Sequence, residues 1–362
     1  MQSLMVSPSN PNGSPPCAGA PKSAPVTLGD VAQRARVSAS TVSRALAGNT
    51  AISATTRELV QAAAVELGYR LPRQSRKVRK SATKIVGLVI GALHNSFMTV
   101  LLQHLHDALR ESGYHATLII DSMNEASSLQ TLRPLIDGFL DGLIFATATL
   151  DSPVVAELKR RGIPLVLVVR SVDQPGVDTV EIDNGHAAAE AARHLYVLGH
   201  RNIGMVMGQR DASTSRDRTE GALKWLEMQG ISSQNVPLIF GEYTTESGYS
   251  GTVSLLAQEK PVTAIIAGND TIAMGVLDAA KRHGISVPGQ LSVIGFDGIP
   301  LAGSPLLALT TIRQPVEAMA RTAARRLVAR MQGDSFAPAT LDILPIQLIQ
   351  RETTGPVRRS LR

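Results

Sequence analysis

The sequence predicts two structural classes in one chain: an N-terminal all-α helix-turn-helix module, followed by an α/β body of two parallel-sheet subdomains. Three observations lead to this prediction. Three short amphipathic helical patterns follow Pro25. From Lys84 onward, short apolar runs alternate with helix-like stretches of about 12 to 18 residues, as in repeated βα units. The length of 362 residues exceeds what one compact core usually organises.

The charge is divided unevenly along the chain. Of the net charge of +6, residues 1–83 carry +8, from 11 Lys and Arg against three acidic residues, and residues 84–362 carry −2. A basic head on a near-neutral body predicts a polyanionic partner for the head and a different partner for the body.

The composition excludes several classes of protein. The single cysteine, Cys17, cannot form a bridge within the chain, which favours a reducing compartment. No apolar run approaches the roughly 18 residues of a membrane span. Residues 1–25 contain six prolines and lack the pattern of a secretory signal. We therefore expect a disordered leader over 1–25 and a cytoplasmic protein without membrane contact.

Residues 26–71 are expected to form a three-helix unit. Only Arg36–Ser38 separates the first two patterns, the length of a helix-turn-helix corner, and Ser38 or Ser40 can cap the second helix. Ser53 can cap the third helix. The apolar positions that define the helices are Leu28, Val31, Ala32 and Ala35, then Val42, Ala45 and Leu46, then Leu59, Ala63 and Leu67.

The body is expected to contain buried parallel strands, because its apolar runs are continuous. About 270 residues exceed one such sheet, so we expect two subdomains with a ligand cleft between them. The predicted strands are Ile85–Ile90, Ala116–Ile120, Gly142–Ala146, Leu165–Val169, Ile203–Met207, Ala264–Ala267 and Ser292–Phe296, and the predicted helices include Met98–Ser112, Gly185–Leu198, Thr219–Gln229 and Thr271–His283.

Enzyme signatures are weak throughout the body. The phosphate-binding glycine motifs and the Gly-x-Ser-x-Gly motif are missing from the sequence. His104 and His106 are two positions apart on a predicted helix and point to different faces, so we expect no metal site and no cofactor. Polar residues instead follow the predicted strands, where open α/β sheets bind ligands: Asn95, Phe97, Arg170, Asp183, Arg216, Arg218, Tyr243, Asn269, Asp270 and Asp297.

Several motifs together resemble the lactose/galactose repressor family (LacI/GalR). The resemblance covers residues 26 to about 351, with the motifs in the same order. They are Val26–Ala32, Val37–Leu46 and Ala63-x-x-x-x-Leu67-Gly68-Tyr69 in the head, and Ile85–Leu88, Leu198–Ile203, Gly268-Asn269-Asp270-x-x-Ala273-x-Gly275, Val293–Asp297 and Leu309–Gln314 in the body.

The resemblance implies a homodimeric transcription factor that binds a near-palindromic operator. In such proteins the second helix lies in the major groove, which places Ala39, Ser40 and Arg44 at the bases. Arg44 can donate two hydrogen bonds to a guanine. The remaining contacts implied for the head, mostly to phosphates, are Thr27, Leu28, Ser38, Thr41, Ser43 and Asn49.

The segment 72–83 corresponds to the family's hinge helix, which inserts a leucine pair into the minor groove. Here Val78 stands where the leucine is usual, and Leu71, Pro72 and Ser75 also depart from the pattern. Because valine is β-branched and shorter, helix propensity and reach both decline. Arg76 and Val78 remain the expected hinge contacts, with a flexible basic tether as the alternative.

The resemblance also implies a body similar to periplasmic sugar-binding proteins. The N-subdomain is expected at about 84–182 plus 315–339, the C-subdomain at about 183–313 plus 340–352, and a tail at 353–362. Many sugar-responsive relatives carry aspartate where this chain has Val169, and cationic Arg170 and Arg218 leave room for a sugar acid. The effector positions that match are Asn95, Phe97, Arg170, Asp183, Arg218, Tyr243, Asn269 and Asp297.

These observations predict a repressor of a carbohydrate or sugar-acid operon that a small-molecule inducer, a sugar or a sugar acid, releases from its operator. A corepressor-dependent regulator is the nearest alternative. A periplasmic-type sugar-binding protein explains only the body, and an α/β enzyme explains only the sheets. The tail lacks leucine heptads, so we expect a dimer and no tail-built tetramer.

Overall fold

The computed structural model describes residues 27–46, 52–67, 82–91, 93, 95–121, 125–333 and 338–357. The chain divides into two compact units, residues 1–81 and 82–362. The predicted leader, Asn49 and the hinge positions Arg76 and Val78 lie outside the described residues. Within the described ranges, no helix has the length and apolar character to cross a membrane.

The N-terminal unit contains three helices, α1 (Leu28–Ala35), α2 (Ala39–Leu46) and α3 (Ala54–Glu66). Helix α1 begins with a reciprocal cap in which Asp30 accepts from the backbone N–H of Thr27 at 2.6 Å and Thr27 Oγ1 accepts from the N–H of Asp30 at 3.3 Å. Arg36, with φ at 53°, ends α1 in the left-handed region. Ser38 Oγ accepts from the N–H of Thr41 at 3.1 Å, as a cap for α2.

The core of this unit lies where the three helices meet. Leu59, expected in that core, is 56% exposed, and Val60 is fully buried in its place. Helical geometry explains the correction: Val60 is three and four positions before Ala63 and Ala64 and faces the core with both, whereas Leu59 shares a face with Ala63 alone. Arg34 of α1 and Glu66 of α3 form an ion pair at 2.6 Å. The buried apolar residues are Val31, Ala32, Val42, Ala45, Val60, Ala63 and Ala64.

The first lobe of the body is a six-stranded parallel sheet with helices on both faces. The strands are β1 (Ile85–Ile90), β2 (His115–Ile120), β3 (Gly142–Phe145), β4 (Leu165–Val168), β5 (Asp178–Ile182) and β11 (Leu341–Leu344), in the order β11-β5-β4-β3-β1-β2. The helices are α4 (Ser96–Glu111), α5 (Glu125–Gly138), α6 (Pro153–Arg160) and α11 (Val316–Met331).

The second lobe repeats this architecture with one antiparallel edge strand. Its strands are β6 (Ile203–Met207), β7 (Leu238–Phe240), β8 (Ala264–Ala267), β9 (Ser292–Asp297), β10 (Thr310–Arg313) and β12 (Gln347–Ile349), in the order β12-β10-β9-β8-β6-β7. Its helices are α7 (Asn184–Val197), α8 (Ser213–Met228), α9 (Thr245–Leu256) and α10 (Asp270–Arg282). The predicted fold class is confirmed.

Two segments near the C-terminus differ from the expected boundaries. Strand β11 pairs in parallel with β5 and so belongs to the first lobe, although 340–352 was expected in the second. An ion pair at 2.8 Å between Arg326 of α11 and Asp342 holds it there. The start of the expected tail is also packed into the second lobe: Thr353 and Thr354 are buried, and the hydroxyl of Thr353 donates to the carbonyl of Val293 at 2.8 Å.

Candidate functional site

A cleft lies between the two lobes, where strands of both sheets end. In this arrangement of the lobes the cavity volume is about 30 Å³, room for about one water molecule, whereas ligand sites usually measure about 300–1,000 Å³. This position follows the rule that ligands bind at the carboxyl ends of parallel strands. The first lobe contributes Asn95, Phe97, Met98, Val169 and Arg170, and the second lobe contributes Thr214, Arg218, Tyr243, Asn269 and Asp297.

Arg218 of α8 is the charged centre of the second-lobe wall and is 2% exposed. Its Nε donates to Oδ1 of Asn184 at 2.8 Å, and its Nη1 donates to the carbonyl of Gly268 at 2.5 Å. The guanidinium also lies 4.5 Å from the centre of the Phe296 ring. These contacts fix the side chain without any ligand.

Asp297 and Asn269 complete that wall. Asn269 caps α10, accepting from the N–H of Ile272 at 2.9 Å, and Asp297 accepts from Nε2 of Gln314 at 2.8 Å. Burial raises the pKa of the Asp297 carboxyl, and the nearby Arg218 guanidinium opposes that rise. Asp297 has φ at 109°, a strained conformation for a non-glycine residue, of the kind that clusters at functional sites.

Tyr243 gives the cleft an aromatic face on the second lobe. Its hydroxyl hydrogen-bonds with Thr214 Oγ1 at 2.7 Å and Ser215 Oγ at 2.8 Å. The ring lies directly over Gly208, where an added Cβ would stand 2.1 Å from a ring carbon. A glycine at the end of β6 is therefore required for this ring position.

The first-lobe wall of the cleft includes Asn95, Val169 and Arg170. Asn95 caps α4, accepting from the N–H of Phe97 at 3.1 Å, which sets the Phe97 ring at the cleft. Val169 has φ at 72°, an outlier for a β-branched residue. Arg170 is 5% exposed and donates to the Thr147 carbonyl at 3.3 Å.

Contacts across the cleft connect the two lobes along one edge. The N–H of Leu150 donates to the carbonyl of Asp211 at 2.8 Å, and the N–H of Ser171 donates to Oγ of Ser213 at 2.9 Å. The ion pair of Arg216 with Asp173, at 2.6 Å, joins α8 to the loop after β4. Because these bonds link different lobes, they stabilise the closed arrangement seen here.

Three predicted positions lie elsewhere. Asp183, expected at the effector, caps α7 by accepting from the N–H of His186 at 2.8 Å and faces a different surface depression. Asp270 is fully buried and accepts from Thr311 Oγ1 at 2.6 Å, as a structural group behind the cleft. Arg216 forms the ion pair with Asp173 that links the two lobes. Position relative to a strand end does not distinguish a capping carboxylate from one that faces the cleft.

Two cleft residues were missed, Met98 and Thr214. Thr214 lies on α8, which begins at Ser213, earlier than the predicted Thr219. The polar run Ser213–Arg218 hid the start of the helix, because its buried face carries hydroxyls and an arginine instead of apolar side chains. The sequence signal that could have identified Thr214 is its position after the apolar run of β6.

The N-terminal unit presents the other candidate surface. Val42 and Ala45 of α2 face the core, whereas Ala39, Ser40, Ser43 and Arg44 are exposed on the opposite side, together with Ser38 and Thr27. Thr41 and Leu28 are partly buried. An exposed helix face with one arginine and several hydroxyls is suited to DNA bases and phosphates.

The side chains that line the cleft are of the types that suit a small polar molecule. Carboxylate, amide and guanidinium groups converge there with two aromatic faces, as hydroxyl-rich ligands require. Across the ranges that the structure describes, no three His, Cys, Asp or Glu side chains are placed to hold a metal ion.

Comparisons with known proteins find matches for both the N-terminal unit and the body. Residues 27–71 match the bacterial regulatory proteins of the lacI family, and residues 192–354 match the periplasmic binding protein-like domain. The catabolite control protein A of Priestia megaterium is 30% identical over 330 residues, which are 91% of this chain and 99% of that protein.

Two solved structures share the whole fold. The transcriptional regulator CelR in complex with cellobiose is 28% identical, with a TM-score of 0.70, over 91% of this chain and 99% of that one. The lac repressor dimer bound to operator and the anti-inducer ONPF is 26% identical, with a TM-score of 0.68, over 92% of this chain and 100% of that one. The chain therefore belongs to the lacI family of bacterial regulatory proteins.

Proposed function

We propose that this regulator represses a carbohydrate or sugar-acid operon and that a small polyol ligand in the cleft releases it from the operator. The observation that carries the proposal is a cleft whose walls come from two different lobes. A ligand that contacts both walls binds well in one relative orientation of the lobes and therefore favours that orientation. Regulation of an operon places the protein in the cytoplasm and gives it no enzymatic role.

We propose release, not corepression, as the sign of the response. Linkage requires that operator DNA weaken ligand binding by the same factor by which the ligand weakens operator binding, typically about 5 to 150-fold. A corepressor would instead strengthen both.

The regulator is proposed to act as a homodimer, since each helix-turn-helix unit reads only a short half-site. One surface of the body supports this. Leu118 and Ile120 are 39% and 56% exposed on β2, the edge strand of the first sheet, beside α4. An exposed apolar edge strand favours pairing with another surface.

The test starts from an operator selected from random DNA with the full-length protein, followed by titration with sugars and sugar acids. Ligands should dissociate the complex, and operator DNA should weaken their binding by the same factor. Asp297→Asn, which keeps the side-chain size, should still bind operator but lose the response. A ligand that still releases this variant at unchanged concentration contradicts the cleft assignment, and a ligand that tightens operator binding contradicts release.

Arg44→Ala is expected to remove most of the discrimination at one base pair of each half-site. Arg44 is the long donor on the exposed face of α2, and a bidentate contact to guanine is worth about 1–3 kcal/mol. Binding to operators substituted at each position measures the loss. Arg57→Ala in α3 is the matched control and should keep the base preference. Equal loss of operator and random-sequence binding by Arg44→Ala would show a phosphate contact instead.

A further inference from the structure

Arg170 is a charged side chain that the cleft buries without a counter-charge. It is 5% exposed. Its guanidinium donates two long hydrogen bonds, to the carbonyl of Thr147 at 3.3 Å and to Oε1 of Gln209 at 3.4 Å, and lies 5.3 Å from the centre of the Tyr243 ring. All three partners are neutral, and among the described residues no carboxylate forms an ion pair with it. A buried guanidinium with five N–H donors is unfavourable unless an anion compensates it.

The second arginine of the cleft, Arg218, has a carboxylate nearby. Arg218 donates to Asn184 at 2.8 Å and to the Gly268 carbonyl at 2.5 Å, and it lies near enough to Asp297 to oppose the rise in that carboxyl's pKa. The charges of Arg218 and Asp297 therefore compensate each other. The uncompensated positive charge of the cleft is at Arg170.

The residue before Arg170, Val169, also provides no negative charge to compensate it. Val169 lines the cleft in a left-handed conformation, with φ at 72°. An aspartate at this position would tolerate that conformation better than valine and would supply a carboxylate beside Arg170. The chain has an apolar side chain there, so the compensating anion has to come from elsewhere.

We propose that the natural effector is an acidic sugar derivative whose anionic group, a carboxylate or a phosphate, pairs with Arg170 while its hydroxyls bond to Asp297 and Asn269. An arginine fork suits either anion, because both accept two parallel N–H bonds. The aromatic rings of Phe97 and Tyr243 cover the apolar faces of the carbon skeleton. This inference rests on the proposed function and names the chemical class of its ligand.

The experiment compares matched ligands on the full-length protein by calorimetry. For glucose, galactose and ribose, the neutral sugar is titrated beside the corresponding aldonate and the terminal phosphate ester. The acidic members should bind at least about tenfold tighter than the neutral parent, the usual gain from a hydrogen bond to a charged group. Binding by the aldonates or by the phosphate esters identifies which anion the site takes. Equal or tighter binding of the neutral sugars, or no binding of any acidic member, overturns the proposal.

Arg170→Gln tests the residue. It should weaken the best acidic ligand by about 10 to 100-fold and leave the melting temperature of the ligand-free protein unchanged or higher, because an uncompensated charge is removed. Arg210→Gln, which removes an exposed arginine stacked on Phe240 at 4.0 Å, is the matched control and should bind the ligand normally. A lower melting temperature with unchanged affinity in Arg170→Gln would show a structural role and overturn the proposal.

Val169→Asp is the reciprocal variant. Its carboxylate should neutralise Arg170, weaken the acidic ligand and improve binding of the neutral parent sugar. Failure of this inference is separable from failure of the proposed function. A neutral sugar that releases the operator overturns the ligand class alone, whereas an acidic sugar that binds without changing operator affinity contradicts the regulatory response alone.

Discussion

The two walls of the cleft differ in how their charges are compensated. On the second lobe, Arg218 and Asp297 lie close together and each has further hydrogen bonds to neighbouring groups. On the first lobe, Arg170 is almost as deeply buried but has only neutral partners at 3.3 and 3.4 Å. The second-lobe wall is thus held in place by its own hydrogen bonds, whereas the first-lobe wall keeps a positive charge that has no carboxylate partner among the described residues.

The two walls therefore suit different tasks: the second-lobe wall suits the binding of hydroxyl-rich ligands, and the first-lobe wall suits discrimination between ligands by charge. A wall that is already hydrogen-bonded offers fixed groups to any hydroxyl-rich ligand, with little reorganisation on binding. A wall with an uncompensated charge favours ligands that carry the opposite charge and penalises those that leave it unpaired. Because the walls belong to different lobes, the proposed ligand would contact Arg170 from one lobe and Asp297 from the other.

The largest expected effect is on stability, from Arg218→Gln. This change removes the cation that opposes the rise in the pKa of the buried Asp297 carboxyl, and it breaks the hydrogen bonds to Asn184 and to the Gly268 carbonyl. Leaving such buried groups unsatisfied costs about 1–3 kcal/mol for each group. Urea unfolding of the ligand-free body should show that loss. Arg170→Gln is the matched variant on the other wall and should leave the free energy of unfolding unchanged or slightly higher, because its hydrogen bonds of 3.3 and 3.4 Å are long and an uncompensated charge is removed. Equal losses from the two variants would contradict the contrast between the walls.

The strands that the sequence predicted best are those buried on both faces. Residues 85–90, 203–207 and 264–267 are continuous apolar runs, and their bounds agree with β1, β6 and β8. Strand β5 was missed because Asp178 and Glu181 interrupt its apolar pattern. Asp178 tolerates burial through Arg330, which donates to it at 2.6 Å from α11, more than 100 residues later in the chain. Partners that distant cannot be inferred from a local pattern.

The sequence predicts the position of the cleft better than the role of each residue near it. Position after a strand predicts Asn95, Asn269, Asp297 and Asp183 at the lobe boundary. The structure has the first three in the cleft lining, whereas the Asp183 carboxylate caps the first turn of α7. From the sequence, Arg170 and Arg218 are predicted alike, as two cations of the cleft. Only the structure separates them, since compensation depends on groups brought together from both sheets.

The second effect, smaller and dependent on pH, concerns a buried carboxyl of the first lobe. Glu181 of β5 is 8% exposed, and its Oε2 has no hydrogen-bond partner among the described residues. Burial raises the pKa of this carboxyl to about 7. Between its ordinary pKa of 4.5 and about 7, the folded state holds a proton that the unfolded state has released. Stability therefore falls as the pH rises through this interval.

Glu181→Gln removes that dependence. The free energy of unfolding of the wild type should fall between pH 5 and pH 8 by up to roughly 3 kcal/mol more than that of the variant. Chemical unfolding at four pH values measures the two slopes. Glu220→Gln, an exposed carboxylate on α8, is the control and should follow the wild type. Parallel curves for wild type and Glu181→Gln would show that Glu181 is ionised throughout this interval.

The smallest expected effect comes from Asp173→Asn at the edge of the cleft. Asp173 accepts from Arg216 at 2.6 Å across the lobes, and both groups are partly exposed. Exposed pairs contribute about 0.2–1 kcal/mol. The pair exists only when the lobes are close, so its loss should weaken ligand binding by about two- to fivefold and change the free energy of unfolding by less than about 1 kcal/mol. Calorimetry with the tightest-binding sugar derivative measures the first quantity.

Asp217→Asn is the matched control, because Asp217 also binds Arg216, at 2.8 Å, but from the same helix. Its bond does not depend on lobe closure, so its loss should leave the ligand affinity unchanged. The bonds of Leu150 with Asp211 and of Ser171 with Ser213 remain in both variants and keep the effect small. If Asp173→Asn and Asp217→Asn weaken the ligand equally, Arg216 acts within α8 alone, and the closed arrangement depends on the ligand-facing walls.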